Sequence, residues 1–344
     1  MKNDELRKWY RHHGPLGPAA AEPVFAAKAE GTWLFDAEDQ RFLDFASGGS
    51  VPLGQNHPDI MRVLKQTGHR AGTDGAAAPE EVALMRKLAE LVPGGMNRRV
   101  LVCESGREAL ARAIELTRDR TNRSNVSYLS HSAEEKPAVI RDVAAVVAHP
   151  LDGRIQQARA TCDAAGALLV DDETNIGPGV CGRMFAAELS DVRPDVYVLG
   201  RGWAAGLPFG ACVTRSSNLR WKHGSSGNPL GCAAALAVIR LLEAGLLEQG
   251  RKLAGYLEKQ LGALSGAGLE PELWGTGLVR TIVFRRGRDV AAGFVQQCRE
   301  LGLLLHVLSA NSVAVRPPLV ASEKDVDFAA EVVGKVLAAF DKKV

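Results

Sequence analysis

The chain has 344 residues, with 42 lysines and arginines against 40 aspartates and glutamates, a formal net charge of +2. That length allows two domains, or a large one with a smaller companion, and a core that needs no disulfide or metal staple. The near balance of charge argues against a nucleic-acid-binding surface, and 46% hydrophobic with 24% charged residues is ordinary for a globular protein. The first predicted elements are strands at 32–35 and 41–45, separated by the hairpin-like Asp36-Ala37-Glu38-Asp39-Gln40. Apolar residues at Val82, Leu84, Met85, Leu88 and Leu91 predict a helix over 79–92, ended by Pro93-Gly94-Gly95. Strands at 99–103, 143–148, 167–170, 196–199 and 211–214 then alternate with helices at 105–118, 155–165 and 229–244. Short apolar strands alternating with helices predict an α/β domain with a mostly parallel sheet. The remainder reads as a smaller α+β domain, with helices at 251–264, 291–301 and 323–339 and strands at 278–284 and 313–315. The expected divisions are an N-terminal arm with short strands (1–75), the large α/β domain (76–245) and the C-terminal α+β domain (246–344).

Residues 1–11 are charged, so no secretory signal is expected, and the most apolar stretch, 230–242, is cut by Arg240 and falls short of a membrane span. Six cysteines, Cys103, Cys162, Cys181, Cys212, Cys232 and Cys298, have no paired spacing and read as reduced thiols of a cytoplasmic protein.

Four segments carry chemistry. Cys103-Glu104-Ser105-Gly106-Arg107 leads from a strand through Ser-Gly into a helix, whose first N–H groups favour an anion. Leu168-Leu169-Val170-Asp171-Asp172-Glu173-Thr174 is an apolar strand ending in carboxylates, where parallel sheets bind ligands. Val196-Tyr197-Val198-Leu199-Gly200-Arg201-Gly202 runs on to Gly206-Leu207-Pro208, and Gly224-Ser225-Ser226-Gly227-Asn228-Pro229 opens the Ala-rich helix. Singly, the plain readings are an N-capped helix and solvated strand ends.

In this order and spacing, the four segments resemble the class III aminotransferases, fold-type I pyridoxal phosphate (PLP) enzymes. Gly31-Thr32-Trp33-Leu34-Phe35-Asp36, Asn56-His57-Pro58 and Pro317-Pro318-Leu319 extend the resemblance over nearly the whole chain, except for shortened stretches between about Asn122 and Asp172. The resemblance implies a large PLP-transferase-like α/β domain, a smaller C-terminal domain, and a homodimer that builds its sites at the subunit interface.

PLP chemistry needs a carboxylate on the pyridine nitrogen, a lysine on the aldehyde and a cup for the phosphate. By the resemblance, Asp172 fills the pyridine-nitrogen position and Asn175 follows it as a shorter amide. The Schiff-base lysine position holds Arg201, 29 positions after Asp172, which is the family spacing without a gap. An arginine stays protonated and forms no Schiff base under ordinary conditions. The phosphate cup reads Ser105, Gly106 and Arg107, the threonine contributed across the dimer aligns with Gly224 beside Ser225, and no aromatic ring-stacker is found around Ser130-His131-Ser132. The substrate-carboxylate arginine aligns with Ala314, and Arg316, two residues on, is the candidate substitute. Lys222 is an alternative amine, and His57 and His149, each beside a proline, read first as structural.

Three functions follow as expectations. One is a class III homologue with a degenerate site, unable to transaminate through a lysine–PLP linkage. Another is an aminotransferase-type enzyme that holds PLP or its pyridoxamine form (PMP) non-covalently and acts on an amino acid. The third is a regulatory or binding dimer for an anionic metabolite, with no cofactor, gripping its ligand through Arg107 and Arg201. No nucleic-acid, membrane or metal partner is expected.

Overall fold

The computed structural model describes residues 1–14, 23–68, 77–93, 97–129, 142–215, 218, 221, 224, 227–266, 268–287 and 289–341. In chain order its elements are α1 (Asn3–His13), β1 (Ala26–Glu30), β2 (Trp33–Asp36), β3 (Arg41–Asp44), α2 (Pro58–Thr67), α3 (Pro79–Leu91), β4 (Val100–Cys103), α4 (Gly106–Thr121), β5 (Asn125–Tyr128), β6 (Val143–Ala148), α5 (Ile155–Ala165) and β7 (Leu168–Glu173). There follow β8 (Val196–Leu199), β9 (Gly210–Thr214), α6 (Pro229–Leu241), α7 (Leu247–Gly262), β10 (Pro271–Thr276), β11 (Val279–Phe284), α8 (Val290–Glu300), β12 (Leu303–Leu304), β13 (His306–Ser309), β14 (Ser312–Val315) and α9 (Glu323–Asp341). Short 3₁₀ turns lie at Ala186–Leu189 and Arg201–Ala204.

These elements form two compact units: Met1–His57 with Glu248–Val344, and Pro58–Leu247. The three consecutive segments expected from the sequence are thus two units in the structure, for two reasons. β3 pairs in parallel with β12, far along the chain, which ties the first strands to the C-terminal region. α2, expected within the N-terminal arm, instead packs on α6.

The unit Pro58–Leu247 is built on a six-stranded sheet in the order β4-β9-β8-β7-β6-β5. β5, β6, β7 and β8 pair in parallel, and β9 runs antiparallel between β8 and β4. Both faces are covered, so β6, β8 and β9 are buried throughout and read as continuous apolar runs. Side chains alternate between faces. Ala145, Val147, Val170, Val196 and Val198 pack with Ala109, Ala113 and Leu116 of α4, whereas Val146, Ala148 and Leu169 pack with Ile155, Ala158 and Cys162 of α5. All six cysteines are free and buried, as their scattered spacing suggested.

The other unit holds two four-stranded sheets, β1-β2-β3-β12 and β10-β11-β14-β13. The hairpin expected at 36–40 forms: β2 pairs with β3, and the Asp36 carboxylate accepts the N–H groups of Glu38 and Gln40 at 2.9 Å each.

The break expected between 244 and 251 is not a loop. It is a kink between α6 and α7: Gly245 takes a non-helical backbone at φ 122°, which side-chain-bearing residues rarely adopt. The two helices and the kink together, Pro229–Gly262, span 34 residues that by length and composition are apolar enough to cross a membrane, where the sequence reading weighed only the stretch 230–242 cut by Arg240. In α6, residues 232–235 and 237–239 are all buried, and Leu230 is exposed.

Candidate functional site

Open parallel sheets bind ligands beyond the carboxyl ends of their strands. In the unit Pro58–Leu247 the ends of β4, β6, β7 and β8 lie along one edge, since Cys103 pairs with Gly210, Leu199 with Ala211, Glu173 with Leu199 and Ala148 with Asp171.

Glycines close this edge. A Cβ on Gly200 would stand 2.1 Å from the Thr174 carbonyl oxygen, and one on Gly210 would stand 2.1 Å from that of Ser105. A Cβ on Gly106 would meet the Thr174 side chain at 2.9 Å and the Gly200 Cα at 3.3 Å. The turns after β4, β7 and β8 are therefore in mutual contact, which brings Ser105, Gly106, Arg107, Asp172, Asn175 and Arg201 to one place.

Their side chains differ in what they are free to do. Ser105 caps α4, its Oγ accepting the N–H of Glu108 at 3.1 Å. Asp172 is half-buried, and its Oδ1 accepts the Thr174 N–H at 3.0 Å. It shares a strand face with Val170, hence the α4 side of the sheet. Arg107 and Arg201 follow the two contacting glycines; both are exposed, and among the described residues neither has a hydrogen bond or ion pair. α4 opens here with its positive end, which favours an anion. Burial pushes the Cys103 thiol up to about 12, which removes it as a nucleophile at this edge.

The remaining candidates stand apart. His149 follows β6, and its Nδ1 accepts the Leu151 N–H at 3.3 Å. Gly224 is exposed, and among the described residues nothing lies within 4 Å of a Cβ built on it. Ser225, Lys222 and the stretch around His131 lie outside the described residues. His57 and Arg316 belong to the other unit, where burial lowers the His57 pKa. There the Arg316 backbone is clamped against the loop after β3: its N–H donates to Phe45 O at 2.6 Å, and its carbonyl accepts from Gly48 at 3.0 Å. The Arg316 Nε is buried without a partner among the described residues, and burial lowers the guanidinium pKa. His306 is lowered too, by burial first and then by the Arg316 charge. Ala314 is fully buried in β14, opposite Thr281 and His306.

The sequence reading passed over Asp171 and Glu173, which flank Asp172 on β7 and are both fully buried. Strand alternation puts them together on the face opposite Asp172. The three consecutive acids at 171–173 were the available signal. On that face Tyr197 lies in register with Asp171, and Phe185 sits with ring centroids 6.0 Å from Tyr197 and 4.7 Å from Trp203.

The sequence model of the family described as aminotransferase class-III matches residues 17–135 and 143–337. The chain belongs to the class III aminotransferase family. The interruption at 136–142 falls inside the stretch that the resemblance marks as shortened. Acetylornithine aminotransferase 1 of Bordetella pertussis is 30% identical over 369 aligned residues, covering 89% of this chain and 92% of that protein. Among solved structures, the ornithine δ-aminotransferase of Plasmodium falciparum superposes with a TM-score of 0.85 at 22% identity, over 100% of both chains. The ornithine aminotransferase of Toxoplasma gondii, described with partial occupancy of PLP at its active site, gives 0.84 at 21% identity over 99% of this chain and 96% of that one. The fold is that of the PLP fold-type I aminotransferases.

The donor set can be tested against that cofactor. A carboxylate at the end of β7 and the start of α4 suit a protonated ring nitrogen and a phosphate. The residue after Gly200 is a guanidinium with no lone pair to offer an aldehyde. Among the described residues, those at this edge suit an anion and include no amine to offer an aldehyde.

Proposed function

We propose that this class III family member does not transaminate through a lysine-linked PLP, and that the glycine-closed edge binds an anionic ligand between Arg107 and Arg201. Arg201 carries the reading. The resemblance assigns it the lysine position, and its guanidinium stays charged where a neutral amine would be required. Its exposure, and the exposed Arg107 after the contacting glycine, suit two charged forks closing on a phosphate or carboxylate.

The test is spectroscopic. The purified protein is mixed with excess PLP, freed of unbound cofactor, and scanned before and after borohydride. The expected result is no cofactor fixed covalently by reduction, with a reducible linkage gained in Arg201→Lys. A reducible linkage in the unaltered protein overturns the proposal and directs attention to Lys222. A second reading, an enzyme that holds PLP or PMP without a covalent bond, is favoured by Asp172, a carboxylate kept at the end of β7 on the α4 side. It requires a cofactor that survives desalting but is not fixed by borohydride.

A further inference from the structure

We propose that Asp171 and Glu173 share one buried proton, that this proton lets the pair stay buried beneath the segment 174–189, and that its loss at alkaline pH loosens that segment. Both side chains are fully buried, Asp171 and Glu173 at 0% exposure, and they stand two residues apart on one face of a central strand. Glu173 Oε1 accepts the N–H of Ala187 at 2.9 Å. Among the described residues its Oε2 and both oxygens of Asp171 are buried without a donor, while the N–H groups of Ala186 and Ala187 favour the ionised form of Glu173. Among the described residues no lysine or arginine forms an ion pair with either acid. Two ionised carboxylates are acceptors only, so contact between them without a proton leaves three buried oxygens unsatisfied beside two like charges. One proton converts the pair into a short O–H···O contact and removes a charge.

The surroundings supply no substitute for that proton. Asp172, on the same strand, adds negative charge that raises Asp171 further. From the 3₁₀ turn, Glu188 raises Glu173, while its own Oε1 takes the Phe185 N–H. On β8, Tyr197 is held protonated by burial and by the charge of Asp171, with Arg98 and Arg193 opposing. Cys181, in the covering segment, is likewise pushed up, by burial first and then by Glu173. Burial is the main cause of the upward shift of both acids; Asp171 lies well above the ordinary carboxyl range and Glu173 at about 7.

The segment responds because it covers the pair: the Ala187 N–H bond to Glu173 survives ionisation, so it is the burial of a second negative charge, not loss of that bond, that loosens the cover. The Glu173 carboxyl holds the turn that begins at Ala186, and the chain between turn and strand carries Thr174 and Asn175, which line the glycine-closed edge. The inference is independent of what that edge binds.

Both acids hold the proton more tightly in the folded protein than in the unfolded chain. Their contribution to stability is therefore complete below the ordinary carboxyl range; that of Glu173 is lost as pH rises through about 7, and that of Asp171 as pH rises well above the ordinary carboxyl range. The experiment compares melting temperatures from pH 6 to 9 in the full-length protein, Asp171→Asn and Glu173→Gln. An amide at either position donates without a titratable proton. The unaltered protein is expected to lose several degrees across that range, and both variants to lose that slope. In the unaltered protein, hydrogen exchange at Ala186 and Ala187, corrected for intrinsic pH dependence, is expected to accelerate between pH 6 and 9 more than exchange in β6. Infrared difference spectroscopy, which needs no variant to fold, is expected to show a protonated-carboxyl C=O stretch at pH 6 that disappears by pH 9. Absence of that band at pH 6, or a slope unchanged in Asp171→Asn, overturns the proposal. So does a melting temperature at pH 6 that rises with added Na⁺ or K⁺ only when both acids are present, which assigns the site to a cation.

Discussion

A methyl group decides how tightly the candidate edge is built. At Gly200 it would lie 2.1 Å from Thr174 O and 2.9 Å from the Thr174 Cα, both backbone atoms of the strand that bears Asp172. Neither can turn aside as a side chain can, so Gly200→Ala is expected to cost about 1–3 kcal/mol, the range for overpacking a filled interior. Gly224, with nothing near its missing side chain, is the control: Gly224→Ala is expected to stay within about 0.5 kcal/mol. Urea unfolding midpoints of the two variants check both values, and equal midpoints contradict this account of the edge. At this scale the sequence exposed the identities of the site and hid its closeness. Ser105, Asp172 and Arg201 stand out by strand-end position, but that Gly106, Gly200 and Gly210 are required for three turns to touch depends on contacts across 26 to 105 positions of chain, which no local pattern encodes. Asp171 and Glu173 were missed for another reason. A run of acids at a strand end normally meets water, and only the covering segment with Phe185 turns two of the three inward.

Elements with a strong apolar period were legible, and those held by their neighbours were not. β6 and β8 are buried on both faces and advertise it in composition; α4 shows Leu110, Ala113, Ile114 and Thr117 on one face, and runs to Thr121, three residues past the expected end at 118. By contrast, β1 is exposed along most of its length and exists because β2 pairs with it, while β12 is two residues long and exists because β3 does. α1 has no buried residue at all and gave no inward-facing stripe to find. The junction of α6 and α7 was legible: the helix break expected after 244 falls at Gly245, whose φ of 122° is non-helical and kinks the chain between the two helices. Gly245→Ala meets no steric neighbour, so its whole cost is backbone strain. It is expected to destabilise by about 1 kcal/mol or more, whereas alanine in an ordinary helix interior gains about that much over glycine. Thermal unfolding of Gly245→Ala, with Gly255→Ala inside α7 as the contrasting helical position, separates the two: the first is expected to melt lower than the parent and the second no lower.

At the scale of the chain, sequence order is a poor guide to which parts hold one another. Residues 1–75 read as an arm laid before the main domain, yet residues 1–57 complete the C-terminal unit. Backbone hydrogen bonds make the connection, among them Leu43 N–H to Gly302, Phe45 N–H to Leu304, Gly48 N–H to Arg316, Arg316 N–H to Phe45 and Leu319 N–H to Pro52. The same segment contributes Phe42, Leu43, Phe45 and Leu53, none more than 5% exposed. Burying a side chain of that size stabilises by about 1.5–3 kcal/mol, so four of them amount to roughly 6–12 kcal/mol, comparable to the whole stability of a typical domain. A fragment of residues 248–344 is therefore expected to lack cooperative unfolding and dispersed amide resonances, because β12 has no strand to join and the loop before α9 no partner. Residues 58–247 keep their six-stranded sheet and both of its helical layers within one continuous segment, and are expected to unfold cooperatively on their own. Adding residues 1–57 to the C-terminal fragment, as a separate peptide or through a flexible linker, is expected to restore dispersion. A fragment of residues 248–344 that folds unaided would instead mean that the first strands only decorate a unit able to form without them.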